Sequence, residues 1–259
     1  LYVGQTTAGN SLTVEQGGSV TSSYGVIGYN SGASGNSVVI QGTNSSWVNS
    51  DGIAVGFYGS DNTLSVLDQA SVTIGNLSLG ESSGATNNTF EVNNATATIN
   101  ANLQMGGSAS RILLGNGGRV ITSDNLIFRT DSNTVTISGT GSVLTNSNDR
   151  WFYFGEDGGS AVSGNQLLIS DGGTLAGFGG VSVGRSAGCV SNLFRISGAT
   201  TVVQLDFVSI PGLSNRVEVT DGAQLSADYG IDFYQSIDGV LSVSGTGSVC
   251  SADILSLYE

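Results

Sequence analysis

The sequence predicts an all-β protein built as a right-handed parallel β-solenoid, with about ten coils of about 25 residues and three short strands in each. Two repeating patterns and the composition predict it. The first pattern places apolar residues at positions 1, 3 and 9 around a turn of small residues. It occurs at Leu12, Val14 and Val20, at Leu64, Val66 and Val72, and at Ile112, Leu114 and Val120. It returns at Val135, Ile137 and Val143, at Leu167, Ile169 and Leu175, and at Phe194, Ile196 and Val202. Val217, Val219 and Leu225, then Leu241, Val243 and Val249, complete the series. A weaker copy stands at Phe90, Val92 and Thr98, and one with a slipped turn at Val38, Ile40 and Trp47. The second pattern is a short alternating segment closed by glycine, as in Leu1-Tyr-Val3-Gly4, Ile53-Ala-Val55-Gly56, Leu103-Gln-Met105-Gly106 and Phe152-Tyr-Phe154-Gly155. The composition agrees: 40 glycines, one proline, 10% charged and 39% hydrophobic residues in a chain of 259. β-Branched residues and Gly/Asn turns indicate strands, and the charge is too sparse for a disordered chain.

Each element follows from these patterns. The opening strand points its outer residues inward and its middle residue outward, as the two-residue period of a strand requires. A polar loop of variable length comes next, as at 6–10, 82–88 and 156–165. The second and third strands flank the small-residue turn, where Gly17-Gly18, Gly117-Gly118, Gly172-Gly173 and Gly222 suit positive φ. The coils divide as 1–23, 24–51, 52–75, 76–101, 102–124, 125–148, 149–178, 179–204, 205–228 and 229–252, with a partial coil at 253–259, all in one domain, 1–259. One coil cannot bury its own apolar face; ten stacked at about 4.8 Å form a core about 50 Å long. A β-sandwich would not repeat one motif this often, and a propeller blade needs about 40 residues.

The net charge is −13, with no His, and all seven cations are Arg. Nucleic-acid and anionic-lipid partners need basic groups, so neither is expected. No run of about 18 apolar residues predicts membrane insertion. An acidic, Lys-free surface rich in Ser, Thr and Asn suits a secreted, extracellular setting, and the start at Leu1 reads as a segment of a longer precursor. Cys189 falls in the eighth coil and Cys250 in the third strand of the tenth. Two rungs, about 9.6 Å, separate them, whereas a disulfide needs Cα atoms within about 7 Å. They are not expected to pair within one chain.

Both ends begin or finish on ordinary strands of the repeat. Leu1, Tyr2 and Val3 at one end and Ile254, Leu255, Leu257 and Tyr258 at the other are therefore expected to carry a head-to-tail contact between copies. The coil motif, best seen in Leu1-Tyr-Val-Gly4 followed by Asn10-Ser-Leu-Thr-Val14-Glu-Gln-Gly-Gly-Ser-Val20, resembles the repeats of large secreted bacterial surface proteins. These are the autotransporter-passenger β-helices and the long β-strand repeat proteins of Verrucomicrobia and Planctomycetes. The resemblance covers the whole chain and implies export, a surface or matrix location, and an adhesive or structural role.

The side chains with chemistry are few. Outward Trp151 and Tyr153, with Glu156 and Asp157 after them, form the one candidate glycan contact; the alternative is a wide coil holding Phe152 and Phe154 inside and a solvated acidic loop outside. Asp221, Asp228, Asp232 and Asp238, with Tyr229 and Tyr234 among them, form a second acidic group. Asp221 reads as a turn residue like Asp171, and oxygen ligands set the upper limit there at a weak Ca2+ site. No cofactor is otherwise expected. Nucleophilic catalysis through His is excluded, and the Gly-rich 177–184 lacks the helix and Lys of a phosphate loop. Asn44, Asn76, Asn87 and Asn94 stand in Asn-x-Ser/Thr sequons. Asn76, Asn102 and Asn125, each just before an opening strand, are expected to stack their amides into a ladder along the solenoid.

The function expected is that of an extracellular structural protein, not an enzyme: a subunit of a filament or surface layer, with itself as partner in a head-to-tail homopolymer. A monomeric surface adhesin or glycan-binding segment is the alternative, and a polysaccharide-active β-helix enzyme the third.

Overall fold

A computed structural model describes residues 1–82, 84–155 and 161–257. It is an all-β parallel β-solenoid of about ten turns, with coils about 25 residues apart and no helix among the described residues. Every strand pairing is parallel. The second face is a ten-stranded sheet in unbroken sequence order, from Ser11–Val14 to Val240–Ser244. Its register never slips: Leu12, Val38, Leu64, Phe90, Ile112, Val135, Leu167, Phe194, Val217 and Leu241 lie side by side. The opening and third faces belong to one 17-stranded sheet, because four long strands serve both. Ser19–Ile27, Ser46–Val55, Val202–Ser209 and Gln224–Asp232 each run along the third face, bend, and become the next opening strand. Register shifts at Ser22/Tyr24 and Leu205/Phe207 mark the corner. There the strand divides less sharply than three short strands per coil implies.

Between the two terminal rungs the opening and second strands bury the residues expected, and one core cluster runs from Val3 to Phe233. The third strand does not keep one spacing. Val20, Trp47, Val72, Ala97, Val120, Leu144 and Leu175 share one inward column, continued by Val203, Leu225 and Cys250. Ala97, Leu144, Val203 and Cys250 thus replace the expected Thr98, Val143, Val202 and Val249, and Val202 and Val249 are about half exposed (52% and 49%). The reason is turn length: one residue more or less before a strand exchanges its two faces.

The turns explain the difference. Short turns at Gln16-Gly17, Asn116-Gly117, Asp171-Gly172 and Asp221-Gly222 put two successive residues at positive φ, the type I′ arrangement that favours Asn/Asp-Gly. The glycine after such a pair serves differently: a Cβ on Gly118 or Gly173 would lie 2.1 or 2.4 Å from the carbonyl oxygen of Val92 or Ile137. The coil after each of these four has a turn one residue longer, ending in Ser45, Ser142, Thr201 or Ser248. That hydroxyl accepts the N–H of the glycine above it, Gly17, Gly117, Gly172 or Gly222, at 2.9–3.1 Å. Three of these hydroxyls donate in turn to Ser138, Ser197 and Ser244 carbonyls. A short and a long turn therefore make a clasped pair.

A second set of hydrogen bonds fixes the opposite corner. The carboxamide Oδ1 of Asn36, Asn62, Asn88, Asn133, Asn165, Asn192 and Asn215 each accepts the backbone N–H of the matching residue one coil earlier, at 2.8–3.0 Å. Ser110 takes one step of the ladder, accepting from Asn88 N–H at 3.3 Å and donating its own N–H to Asn133. The sequence interval between successive members varies from 22 to 32 residues. The ladder thus absorbs the variable loop and resets the register just before the second strand. This corrects the expected ladder at Asn76, Asn102 and Asn125, where no amide–amide bond forms. Asn76 Oδ1 accepts from Asn102 N–H, Asn125 Oδ1 accepts from Trp151 N–H, and Asn76 Nδ2 donates to the Asp51 carbonyl.

Removing a buried acceptor leaves its donor unmet, at a cost of about 1–3 kcal/mol. Asn165→Ala, which strands the Asn133 N–H, and Thr201→Val, which strands the Gly172 N–H, should each lower the unfolding free energy, measured by urea titration, by an amount in that range. Asn102→Ala, whose side chain bonds nothing among the described residues, should stay within about 0.5 kcal/mol of the parent.

Candidate functional site

The first and last rungs expose strand edges. Among the described residues Tyr2–Val3 pairs only with residues 26–27, and Ser11–Val14 only with Ser37–Gln41. At the other end Val240–Ser244, Val249–Ala252 and Leu255–Ser256 each pair on one side only. The two ends differ in apolarity. At the first rung Leu1 and Tyr2 are exposed, the Leu1 ammonium donates to the Tyr24 carbonyl, and Val3 and Val14 are buried. Of the residues expected to make an end contact there, Val3 instead packs into its own core. At the last rung the inward residue Val243 is 45% exposed, while its neighbour Val219 is fully covered. Ile254, Leu255 and Leu257 are exposed, and Tyr258 lies outside the described residues. An open groove of about 510 Å³ lies here, between Phe233, Val240, Leu241, Leu255 and Leu257. Leu241 and Val243 belong to this surface, yet their motif marks them only as core; Cys250 beside them takes the inward place expected of Val249. No local signal distinguishes the last copy of a repeat from the others.

The opening face carries a surplus strand. Both Tyr2–Val3 and Leu255–Ser256 lie on the opening face, which therefore carries one segment more than each of the other faces. If a second copy brought its first rung against Val240–Ser244 and Val249–Ala252, its Tyr2–Val3 strand and the Leu255–Ser256 strand would need the same place.

The aromatic strand at Trp151–Phe154 divides as expected. Phe152 and Phe154 are fully buried against Phe128, with both contacts edge-on. Trp151 and Tyr153 face outward, half-buried, with rings parallel to within 6° and centroids 5.7 Å apart. Gly180, the neighbour of Trp151 in register, lets the indole lie flat across it: a Cβ there would be 2.8 Å from the ring. Beyond it Phe207 completes a strip, its centroid 6.1 Å from Trp151. The Arg185 guanidinium sits 3.7 Å above the Tyr153 ring, so that face is already occupied by a cation–π contact. Glu156 and Asp157 lie outside the described residues.

The second acidic group does not come together. Asp221 occupies its turn, Asp228 accepts from Gln204 and Ser226, and Asp232 accepts from Ser209. Among the described residues no three His, Cys, Asp or Glu side chains are placed to hold a metal ion. A carboxylate that the sequence did not single out, Glu218, is buried and clasped by Arg195 from the coil before and by Arg216. Cross-strand register, invisible in one linear segment, makes that cluster.

The cysteines are free. Cys189 is fully buried, its thiol 3.6 Å from the Phe154 carbonyl oxygen, while Cys250 lies half-buried in the last rung. Burial pushes the Cys250 thiol above its ordinary pKa. Comparison with protein-family models, curated proteins and solved structures finds no match for this chain.

Two thiols of such different exposure should react differently. In the folded, unassembled monomer a maleimide should label Cys250, slowly near neutral pH and faster in alkali, and leave Cys189 untouched until the chain is denatured. Reduced and unreduced monomers should migrate alike, and a compact species that reduction removes would contradict the assignment.

Proposed function

We propose that this chain is an extracellular structural protein, the repeating unit of a filament or surface layer built by stacking solenoids end to end. The observation that carries the proposal is the last rung. Its inward side chains Leu241, Val243 and Cys250 stay in the register of the core while their outer side is uncovered. What fits such a surface is another parallel rung, and the first rung of a second copy offers one, with Leu12, Val14 and Val20 at the matching places. Stacking this way is heterologous and does not close, so it yields a fibre. The Lys-free surface and net charge of −13 support a location outside the cell and keep lateral association weak.

The contact on this reading is broader than the two chain ends. Val240–Ser244 meets Ser11–Val14, and Val249–Ala252 meets the start of Ser19–Ile27. On the opening face the Tyr2–Val3 strand of the incoming copy displaces Leu255–Ser256. A surface adhesin is the second reading, favoured by the Trp151–Phe207 strip.

Electron microscopy of the native protein tests the proposal. Sharing one place on the opening face gives ten rungs per subunit, an axial repeat of about 48 Å; simple abutment of the two terminal strands gives eleven, about 53 Å. Fibres of the shorter repeat are expected, with Cys250 protected from maleimide inside them. Val243→Glu, which puts a charge on the apolar end, should abolish fibres and leave the monomer folded. A chain ending at Ala252 should still assemble. Dispersed rods from the full chain would refute the filament.

A further inference from the structure

The opening face holds a trough that the filament reading does not use. It begins at Tyr24 and crosses Gly52 and Asn76 to Asn102, residues adjacent in register over three strand spacings, about 14 Å. Its volume is about 440 Å³, within the size range of small-ligand sites. Gly52 and Ser78 make it a depression, since they stand where other coils carry larger outward side chains such as Trp151 and Tyr153.

The walls have a specific chemistry. At one end is Tyr24, 40% exposed and without a hydrogen bond from its hydroxyl to any described residue. At the other end are the carboxamides of Asn102 and Gln104, and along the side the carboxylate of Glu81. None of these three side chains has a hydrogen bond or ion pair among the described residues. The backbone beneath is already satisfied by strand pairing, so these side chains keep their donors and acceptors open to solvent or to a guest. Two amides supply donors and acceptors together, the carboxylate accepts only, and the phenol offers a flat ring with a polar tip. Asp51 adds a second carboxylate, and no Arg lines the trough. That set repels uronates and sulfated or phosphorylated chains and leaves the hydroxyls of an uncharged chain as the best match. Desolvation, and after it the nearby Glu81, pushes the Tyr24 phenol above its ordinary pKa, so the ring stays neutral at physiological pH.

We infer that this trough binds a neutral oligosaccharide, laid along the solenoid axis with one sugar ring against Tyr24 and its hydroxyls on Glu81, Asn102 and Gln104. The inference stands apart from the filament, because the trough lies on the side of the stack and stays open in a fibre or a single rod.

Calorimetric titration of the intact protein with soluble hexasaccharides tests it. The neutral probes are oligomers of β-1,4-glucose, α-1,4-glucose, β-1,4-mannose and β-1,4-N-acetylglucosamine; oligogalacturonate and the chitosan hexamer are the charged controls. At least one neutral probe should bind, and oligogalacturonate should not. Gln104→Ala and Asn102→Ala should each weaken binding about fivefold, and Tyr24→Ala about tenfold. All three side chains lie at the surface, so thermal unfolding should be unchanged and a loss of binding can be assigned to the trough. Failure of every neutral probe at millimolar concentration would overturn the inference. So would binding that survives Tyr24→Ala and Gln104→Ala together, or binding confined to the cationic chitosan hexamer and removed by salt.

Discussion

The structure depends on one constraint: each coil must satisfy, at its corners, the backbone groups that its neighbours bury. Along the faces, strand pairing does this automatically. At the corners the chain turns, and a buried N–H without an acceptor would cost more than a typical hydrogen bond yields. The column from Asn10 to Asn215 resolves the first corner with a carboxamide, or at one step the Ser110 hydroxyl, each accepting from the coil before. The clasped turns resolve the second with a hydroxyl in every long turn. Both devices act between coils, so one coil alone has no complete set of hydrogen bonds. That fits the stack behaving as a nearest-neighbour array.

This division of labour frees the rest of the coil. The sequence interval between successive ladder members varies by ten residues without disturbing the register on either side of it. The opening face is similarly free to vary its outward residues, because its inward ones hold it to the core. Trp151 and Tyr153 in one coil stand where Asn125 and Ile127 stand in the coil before, and where Gly180 and Ser182 stand in the coil after. On the proposed reading, recognition would use such faces and assembly would use the ends, where the constraint is unmet. The two are compatible in one protein because they use different surfaces.

A fibre formed through the ends would extend the same rule across chains. The last rung differs from an internal rung only in lacking a neighbour: Val243 and Val219 share a column, yet one is nearly half exposed and the other covered. Completing the core and pairing the edges are therefore one event. The surplus strand on the opening face makes that event an exchange as well as an addition, which would favour correctly ordered copies over random contacts.

Much of this was legible in the sequence. The motif of Leu12, Val14 and Val20 and its copies determined the parallel stack, the coil length and the inward residues of two faces, because a strand's two-residue period leaves no choice once one apolar position is known. Asp171 and Asp221 followed from turn chemistry, and Phe152 and Phe154 from alternation. Even the ladder was written in the chain, since Asn stands two residues before the first apolar position of the motif in eight coils, from Asn10 to Asn215. The linear reading placed it instead at Asn76, Asn102 and Asn125, where the amides meet backbone rather than one another. Only the tertiary structure decided the third strand's facing residues, because whether Val143 or Leu144 turns inward depends on one extra turn residue and on the Ser142 hydroxyl bonding Gly117 in the coil before. It alone brought Glu218 to Arg195 and opened the trough beside Tyr24. Those sites join residues from successive rungs, more than twenty positions apart in sequence and one to three strand spacings apart in space, so no single stretch of chain contains them.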